Sequence, residues 1–581
     1  MLGHHLNPHP NRKLVNSANR GAIESISILG VKLKHIPYKQ IMSLNNLIEK
    51  EPNLGRWLIH LYQQLQNNRV SVIAGAGISS EAGVPLWGKL VGQIVANISD
   101  VSEETQAHFA ENLNQTYLTQ VGYSKHINSK YPNERSKEQF YRGESSWAQL
   151  VHKELYSGCP STTDEILEAH PYLEQFAKFC FKCPLVITFN FDDLLSEAMN
   201  SISGKIRSTG GHSVPPDVIW KPRAIEKQNA TTIFHINGYL PRIARKKRSE
   251  KLIFTENSFA DALISANTPE FYRTLSHLSN HTNLIIGHSL EDASLKNLLR
   301  SLRNRNPSQL SYMFHWMTEP DQLSDDVRKD LFDVNLEVYN LITIFVTSEN
   351  IAQIFKILNQ DNVTNFKHEL SEIGVTKTKF PNYVVSPVAG GKTSVIEHLR
   401  HFETYEEWLE PGPPELYKSH TSLNEKERST INSWVIGQLS KKNCLLKDAK
   451  LGFFFMDRGP LDALVFSKDK EERKQKAKEL LEKFKGDNSL EKAQVFFVTA
   501  SGDELVSRNL RRGRLPEDGG DKDYLEKQSE DLKSLYQPVE SCVVNSDHIL
   551  PGEVARKIAT QCLLGAYSPK DLDSILSNEL K

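Results

Sequence analysis

Residues 70–90 read VSVIAGAGISSEAGVPLWGKL, an apolar strand (Val70, Val72, Ile73) running into Gly75-Ala76-Gly77 and then into helix-forming residues. Glycines at such a junction permit a tight turn and a close backbone approach, while a helix start offers free N–H donors to a phosphate. The run marks a candidate nucleotide site early in the fold. A second phosphate-loop candidate, SPVAGGKTS, stands at 386–394. Each loop needs a strand before it and a helix after it, so two loops point to two α/β units in one chain.

The surrounding sequence agrees. Residues 45–67 carry Leu47, Leu54, Trp57, Leu58 and Leu61 at helical spacing. Short apolar runs bounded by polar residues, as buried parallel strands should be, occur at 184–190, 231–235, 251–255, 282–287, 310–315 and 342–347, with helical patterns between them. Residues 100–180 are mixed and polar and read as a helical insertion; 349–360 reads as a last helix. After a polar connector, a second series opens with strand 382–386, the second glycine loop and helix 393–400, then strands 451–457, 494–500 and, more weakly, 541–545. The charge run at 468–486 reads as a solvated helix face. Strands alternating with helices predict parallel α/β sheets, the first Rossmann-like.

Composition narrows the function classes. In 581 residues (66.0 kDa), 39% apolar and 24% charged content fit chains that bury real cores, and the length suggests two to four domains. A formal net charge of −1 and a pI near 7.1 give no global basic field for nucleic acid. No stretch is long and apolar enough to span a membrane, and the polar, His- and Asn-rich start lacks a secretory core, so a cytoplasmic protein is expected. Residues 1–41 are expected as a disordered extension. Cys180 and Cys183 form one CxxC, but Cys159, Cys444, Cys542 and Cys562 supply no second pair for zinc. Buried thiols are the alternative.

Four segments appear in order: GAGIS (75–79) with GVP (83–85), TFNFDDLL (188–195), FHINGYLP (234–241) and IIGHSLED (285–292). Together they resemble the sirtuin-like domains of bacterial anti-phage defence proteins, over about residues 45–360, more than protein deacetylases, whose two-pair cysteine module is missing. The resemblance implies cleavage of the nicotinamide–ribose bond of NAD through an oxocarbenium-like transition state. On it, Gly75, Ala76, Gly77 and Ser79 would contact the pyrophosphate, Asn190 would orient a water or the ribose hydroxyls, and Asp192 would bind the ribose or carboxamide. Asn190 and Asp192 would equally serve as helix caps. Sirtuins place a histidine directly before a glycine, whereas here Asn237 precedes Gly238 and His235 lies two residues earlier. A shift of two keeps a strand side chain on the same face, so His235 either reaches the pocket or is a packed histidine; Asn237 cannot act as a general base. Ser289 would bond a ribose or phosphate on the adenosine side, and Asp292 either joins it there or caps a helix.

SPVAGGKT departs from GxxxxGK[ST] only at Ser386. Lys392 would reach terminal phosphates, Thr393 would ligate magnesium, and amides around Gly390 and Gly391 would cradle oxygens. Downstream, Asp457-Arg458 ends an apolar run, and Arg508, Arg511, Arg512 and Arg514 cluster after another. This order resembles deoxynucleoside and thymidylate kinases over about residues 380–566. It implies ATP with Mg2+, or a deoxynucleotide, at the loop; Asp457 and Arg458 facing the acceptor; and Arg508, Arg512 and Arg514 in a lid. WLEPG at 408–412 is the candidate acidic segment.

The expected organisation is therefore an extension (1–41), a sirtuin-like domain (42–360), a linker (361–379) and a P-loop kinase-like domain (380–581). The leading expectation is a defence effector that hydrolyses NAD, gated by the second domain in response to a phage protein or an altered nucleotide pool, and working as a homo-oligomer. The alternatives are a nucleoside or nucleotide kinase regulated by an NAD- or ADP-ribose-binding domain, and a non-catalytic scaffold sensing nucleotides at both sites.

Overall fold

The computed structural model describes residues 44 and 46–580, apart from 99, 112–114, 132–135, 222–226, 228, 244–245, 251, 259–268, 320–321, 419–422, 468 and 514–519. The expected extension at 1–41 lies outside the described residues, as does Arg514 of the expected lid.

Two wholly parallel sheets form. The first has strands β1 (Val70–Ala74), β2 (Leu185–Thr188), β3 (Asp217–Ile219), β4 (Thr232–His235), β5 (Thr282–Ile286), β6 (Ser311–Trp316) and β7 (Leu341–Val346), in the order β3-β4-β2-β1-β5-β6-β7. The second has β8 (Lys379–Val385), β9 (Glu403–Tyr405), β10 (Gly452–Asp457), β11 (Gln494–Thr499) and β12 (Val543–Asn545), in the order β12-β11-β8-β10-β9. Alternate residues serve opposite faces: Val70, Val72 and Ala74 pack into one core and Ile73 into another. The insertion expected at 100–180 is helical, through Glu103–Glu111, Gln115–Lys130, Lys137–Leu155, Thr163–Ala169 and Pro171–Cys180. The run expected as a strand at 251–255 does not form one; residue 251 is outside the described residues, and Leu252 and Phe254 are buried from a loop. Within the stretch read as a polar connector, Val363–Glu372 is helical and buries Phe366 and Leu370. Among the described residues no helix is long and apolar enough to cross a membrane.

The helix Leu54–Gln66 positions everything else. Its apolar residues gather on one face, with Ile59 outside it, yet every residue but Arg56 and Gln66 is buried, so the polar face is packed as well. It sits in a core continuous across both sheets, which joins Val72 and Leu284 of the first to Phe453, Phe455 and Phe496 of the second. Its polar groups are used as well. Trp57 Nε1 donates to Leu563 O (3.2 Å), Asn53 Nδ2 to Leu564 O (3.0 Å), and Arg56 to the carbonyls of Cys562 and Gly565. These cap the last carbonyls of helix Pro551–Leu564, which that helix cannot satisfy itself. Gln63 accepts from Phe453 N (2.9 Å) and donates to Phe453 O (3.3 Å), in effect extending β10 by one side chain. Tyr62 stacks on Phe366 at 3.8 Å.

A continuous core predicts joint unfolding. Trp57→Ala should cost about 3–5 kcal/mol through the cavity it leaves, and scanning calorimetry should show one transition for both sheets, moved down intact. Two separated transitions would contradict a shared core.

Candidate functional site

In the first sheet the chain leaves β1 toward β2 and later returns on its other side as β5, so a crevice opens at the carboxyl ends of β1, β2 and β5. The first glycine loop lies there. Gly75 N donates to Ile286 O (2.8 Å) and Gly77 N to Gly287 O (2.9 Å). The loop lies so close to the end of β5 that a Cβ on Gly75 would run into Gly287 O and stand 2.7 Å from His288 Cγ, so no side chain fits there. The helix expected after the loop is one turn, Gly77–Ser80; the next begins at Trp87. Ile78 N and Ser79 N bond back to Gly75 O and Ala76 O, so most of the loop's amides are engaged within the protein.

Asn190, just past β2, is buried and donates through Nδ2 to Gly75 O (3.1 Å), with Ser79 Oγ at 3.4 Å. Ser79 Oγ donates to Asp192 Oδ1 (2.9 Å), which also accepts from Leu194 N (3.1 Å). Asp192 thus fastens the start of helix Leu194–Ser208, as the capping reading expects, and through Ser79 it also belongs to the loop network. Burial pushes its carboxyl up to about 6, against the lowering effect of those bonds.

His235 closes β4, in register with Thr188 of β2. Its Nδ1 lies 2.9 Å from Asn190 O; a carbonyl only accepts, so Nδ1 carries the hydrogen and Nε2 presents a lone pair. Burial holds the imidazole neutral, down to about 4. Neither His235 Nε2 nor Asn190 Oδ1 has a hydrogen-bond partner. Asn237 donates from Nδ2 to Phe189 O (3.1 Å) and lines a cavity of about 280 Å³ with Trp220, Lys221, Gly238 and Glu250. Trp220 stacks on Tyr239, and Tyr239 in turn lies 4.6 Å from the His235 ring.

Ser289 is exposed, and Asp292 caps helix Ala293–Arg305 through Leu295 N (2.9 Å). His288 directly follows Gly287, and that glycine is the sequence signal that marks it. Its ring stands edge-on to Phe189 at 4.9 Å, its Nε2 is buried without a partner, and burial lowers it to about 4. Cys180 and Cys183 are buried free thiols, and the described residues hold no cluster of three or more metal-ligating side chains.

The second glycine loop follows β8, which is flanked by β10 and β11. Ala389 (φ 63°) and Gly391 (φ 95°) are both left-handed, and Gly390 N closes a turn onto Pro387 O (3.0 Å), a backbone form that can turn amides toward an anion. Ser386 fits in place of glycine because Gly390 faces it: a Cβ on Gly390 would stand 2.8 Å from Ser386 Cβ. Lys392 Nζ lies 3.2 Å from the buried Asp457 Oδ1, and Thr393 is exposed in the first helical turn. Lys442, itself buried, donates to Asp457 O (2.7 Å). The left-handed Arg458 (φ 73°) pairs with Glu407 (2.7 Å) and lies over Trp408 and Phe466. Glu410 of the WLEPG segment pairs instead with Lys441. Arg508 bonds Ser546 O (2.8 Å) and reaches Gly390 O (3.4 Å), whereas Arg511 and Arg512 are exposed.

Residues 184–341 match the SIR2-like domain family, SIR2_2. The match runs from the residue before β2 to the first residue of β7, so this SIR2-like segment contains Asn190, Asp192, His235, Asn237, Ser289 and Asp292, while β1 and Gly75–Gly77 precede it. No curated protein matches the chain. A solved structure titled "Crystal structure of NadR protein in complex with NAD and AMP-PNP" is 12% identical, covering 66% of this chain and 89% of that one at a TM-score of 0.25, too low to carry an argument.

Asp192 gives a pH test. Its folded value, about 6, exceeds the ordinary 3.8, so the stability it contributes is full below about pH 4 and lost as pH rises through 6. His235 and His288, lowered to about 4, act in the opposite sense across that range. The comparison of wild type with Asp192→Asn isolates the carboxyl: between pH 4 and pH 7 the variant should gain about 2–3 kcal/mol relative to wild type in urea unfolding. A pH-independent difference would contradict the burial argument.

Proposed function

We propose that the chain hydrolyses NAD to nicotinamide and ADP-ribose at the ends of β1, β2, β4 and β5, as a defence effector gated by nucleotide binding at the second loop. The observation that carries the reading is the pair of buried, unpartnered atoms Asn190 Oδ1 and His235 Nε2, both within the SIR2-like segment. An unsatisfied buried polar atom costs about 1–3 kcal/mol, and a substrate that bonds it recovers that cost.

In the reaction, water adds to C1′ of the nicotinamide ribose as the C1′–N1 bond breaks. The bonding pair goes to the pyridinium ring, which leaves neutral, and the water's proton must be accepted. Asn190 orients the ribose or the water. His235, neutral and fixed by its Nδ1 bond, accepts through Nε2. Asn237, engaged with Phe189 O, holds the turn beside the cavity and takes no proton. The cavity of about 280 Å³ walled by Trp220 is of a size to seat the nicotinamide end. Unrestrained NAD cleavage would be toxic, hence the gate. The second loop takes ATP with Mg2+ at Thr393, or a deoxynucleotide, with Lys392 on the phosphates.

A kinase reading, with the first site reduced to binding NAD or ADP-ribose, draws on one observation: the buried Asp457 carboxylate, placed to accept a nucleophile's proton, has Lys392 as its ion-pair partner. Labelled ATP and a nucleoside panel separate the two readings.

Incubation of the purified full chain with NAD, alone and with deoxynucleotides or phage lysate, should release nicotinamide. Asn190→Ala and His235→Ala should each lower kcat by about 100-fold or more with the fold retained. A folded wild type that releases none under any condition would exclude NAD hydrolysis.

A further inference from the structure

The two glycine loops belong to different sheets, yet the far end of the helix behind the second is held by residues that lead to the first. Helix Lys392–His398 ends in main-chain carbonyls that it cannot satisfy itself. Side chains packed around the first sheet take carbonyls there and just beyond: Ser308 Oγ donates to His398 O (2.6 Å), Arg69 Nη1 to Arg400 O (2.7 Å), and Gln64 Nε2 to His401 O (2.8 Å).

These donors are joined to the strands that end at the first loop. Gln64 belongs to helix Leu54–Gln66, and Arg69 immediately precedes β1. Arg69 N donates to Gln64 O (2.8 Å), and Arg69 O accepts from Thr282 N (2.9 Å), the first residue of β5. Ser308 lies just before β6, the other neighbour of β5, and Gln309 beside it bonds Thr282 Oγ1 (2.8 Å). From that point β1 and β5 run in register, Val70 with Thr282 through Ala74 with Ile286, and open into Gly75 and Gly287, whose backbones are in contact. One end of this strand pair is clamped to the helix of the second loop. The other end is the first loop itself.

The second loop also has a contact that a nucleotide would change. Lys392 Nζ pairs with Asp457 Oδ1 at 3.2 Å, and phosphate oxygens compete with that carboxylate for the same ammonium. Close-packed elements pass such a displacement on as a body, because the interior has little slack.

We propose that ligand occupancy at the second loop is coupled to occupancy at the first through this clamp, with Arg69, Gln64 and Ser308 transmitting movement of helix Lys392–His398 to β1 and β5. This coupling presupposes that the first loop takes NAD or ADP-ribose and the second a nucleoside triphosphate. It is reciprocal: each ligand changes the affinity of the other by the same factor.

The test uses the full-length chain, Mg–AMP-PNP and ADP-ribose, neither of which turns over. The AMP-PNP affinity is titrated with and without saturating ADP-ribose, and the reverse. Wild type should show the same factor in both directions, about fivefold or more. Arg69→Ala, at an exposed position, and Ser308→Ala should keep each single-ligand affinity within about twofold of wild type while the coupling factor falls toward one. Melting curves confirm that both variants fold. Variants that keep the wild-type factor would overturn the clamp. A wild type that binds both ligands without mutual effect would overturn the coupling and leave the site assignments standing. A wild type that fails to bind one of the ligands would remove the site assignment and the coupling with it.

Discussion

The burial of helix Leu54–Gln66 between two parallel sheets is the constraint from which the rest follows. A helix buried on its polar face as well as its apolar one needs partners for His60, Gln63 and Gln64, and the two sheets close on it to supply them, through Tyr312 of the first and Phe453 of the second. Its polar side chains then meet backbone groups that would otherwise be orphaned, at the end of helix Pro551–Leu564 and along β10. Such groups are costly when unmade, which gives the junction specificity as well as burial. The helix also leads directly into β1, so the strand that ends in the first glycine loop starts from a fixed point.

The unpartnered buried atoms fall into groups by their place in the fold. Several lie at the junction, among them His60 Nε2, Gln64 Oε1 and both ring nitrogens of His401. These sit far from any strand's carboxyl end and face a packed core. Asn190 Oδ1, His235 Nε2 and His288 Nε2 are different, for all three border the crevice where the strand order reverses, which is where open α/β sheets bind ligands. Each of these side chains is also anchored by another atom, Asn190 on Gly75 O and His235 on Asn190 O, so the free atom is held in place.

Strands read from apolar runs were legible because parallel strands buried on both faces need continuous apolar sequence. β3 and β9 were not: each is three residues long, and neighbouring strands, not their own composition, make them strands. The run at 251–255 was misleading for the converse reason. Leu252 and Phe254 are buried, but Ile253 N bonds Asn237 O (2.8 Å), a loop carbonyl, and not a neighbouring strand. Near the first loop, the glycine run could be placed from pattern and Asn190 was named only through the resemblance, whereas the capping bond of Asp292 depends on where a helix starts. His288 was missed because its importance lies in contact with Gly75, a residue more than two hundred positions away. In the second loop, the exchange of glycine for Ser386 depends on Gly390 packing opposite it, a contact set by the loop's fold and not by the motif's spacing.

The two sheets therefore act as one frame that carries both glycine loops, and the proposed NAD site rests on the first of them. The most direct measurement of that arrangement is a crystal structure of the His235→Ala chain with NAD bound. The nicotinamide ribose should lie beside the Asn190 side chain at the ends of β2 and β4, with the nicotinamide toward Trp220. NAD found at the second glycine loop, or away from the ends of β1, β2, β4 and β5, would contradict it.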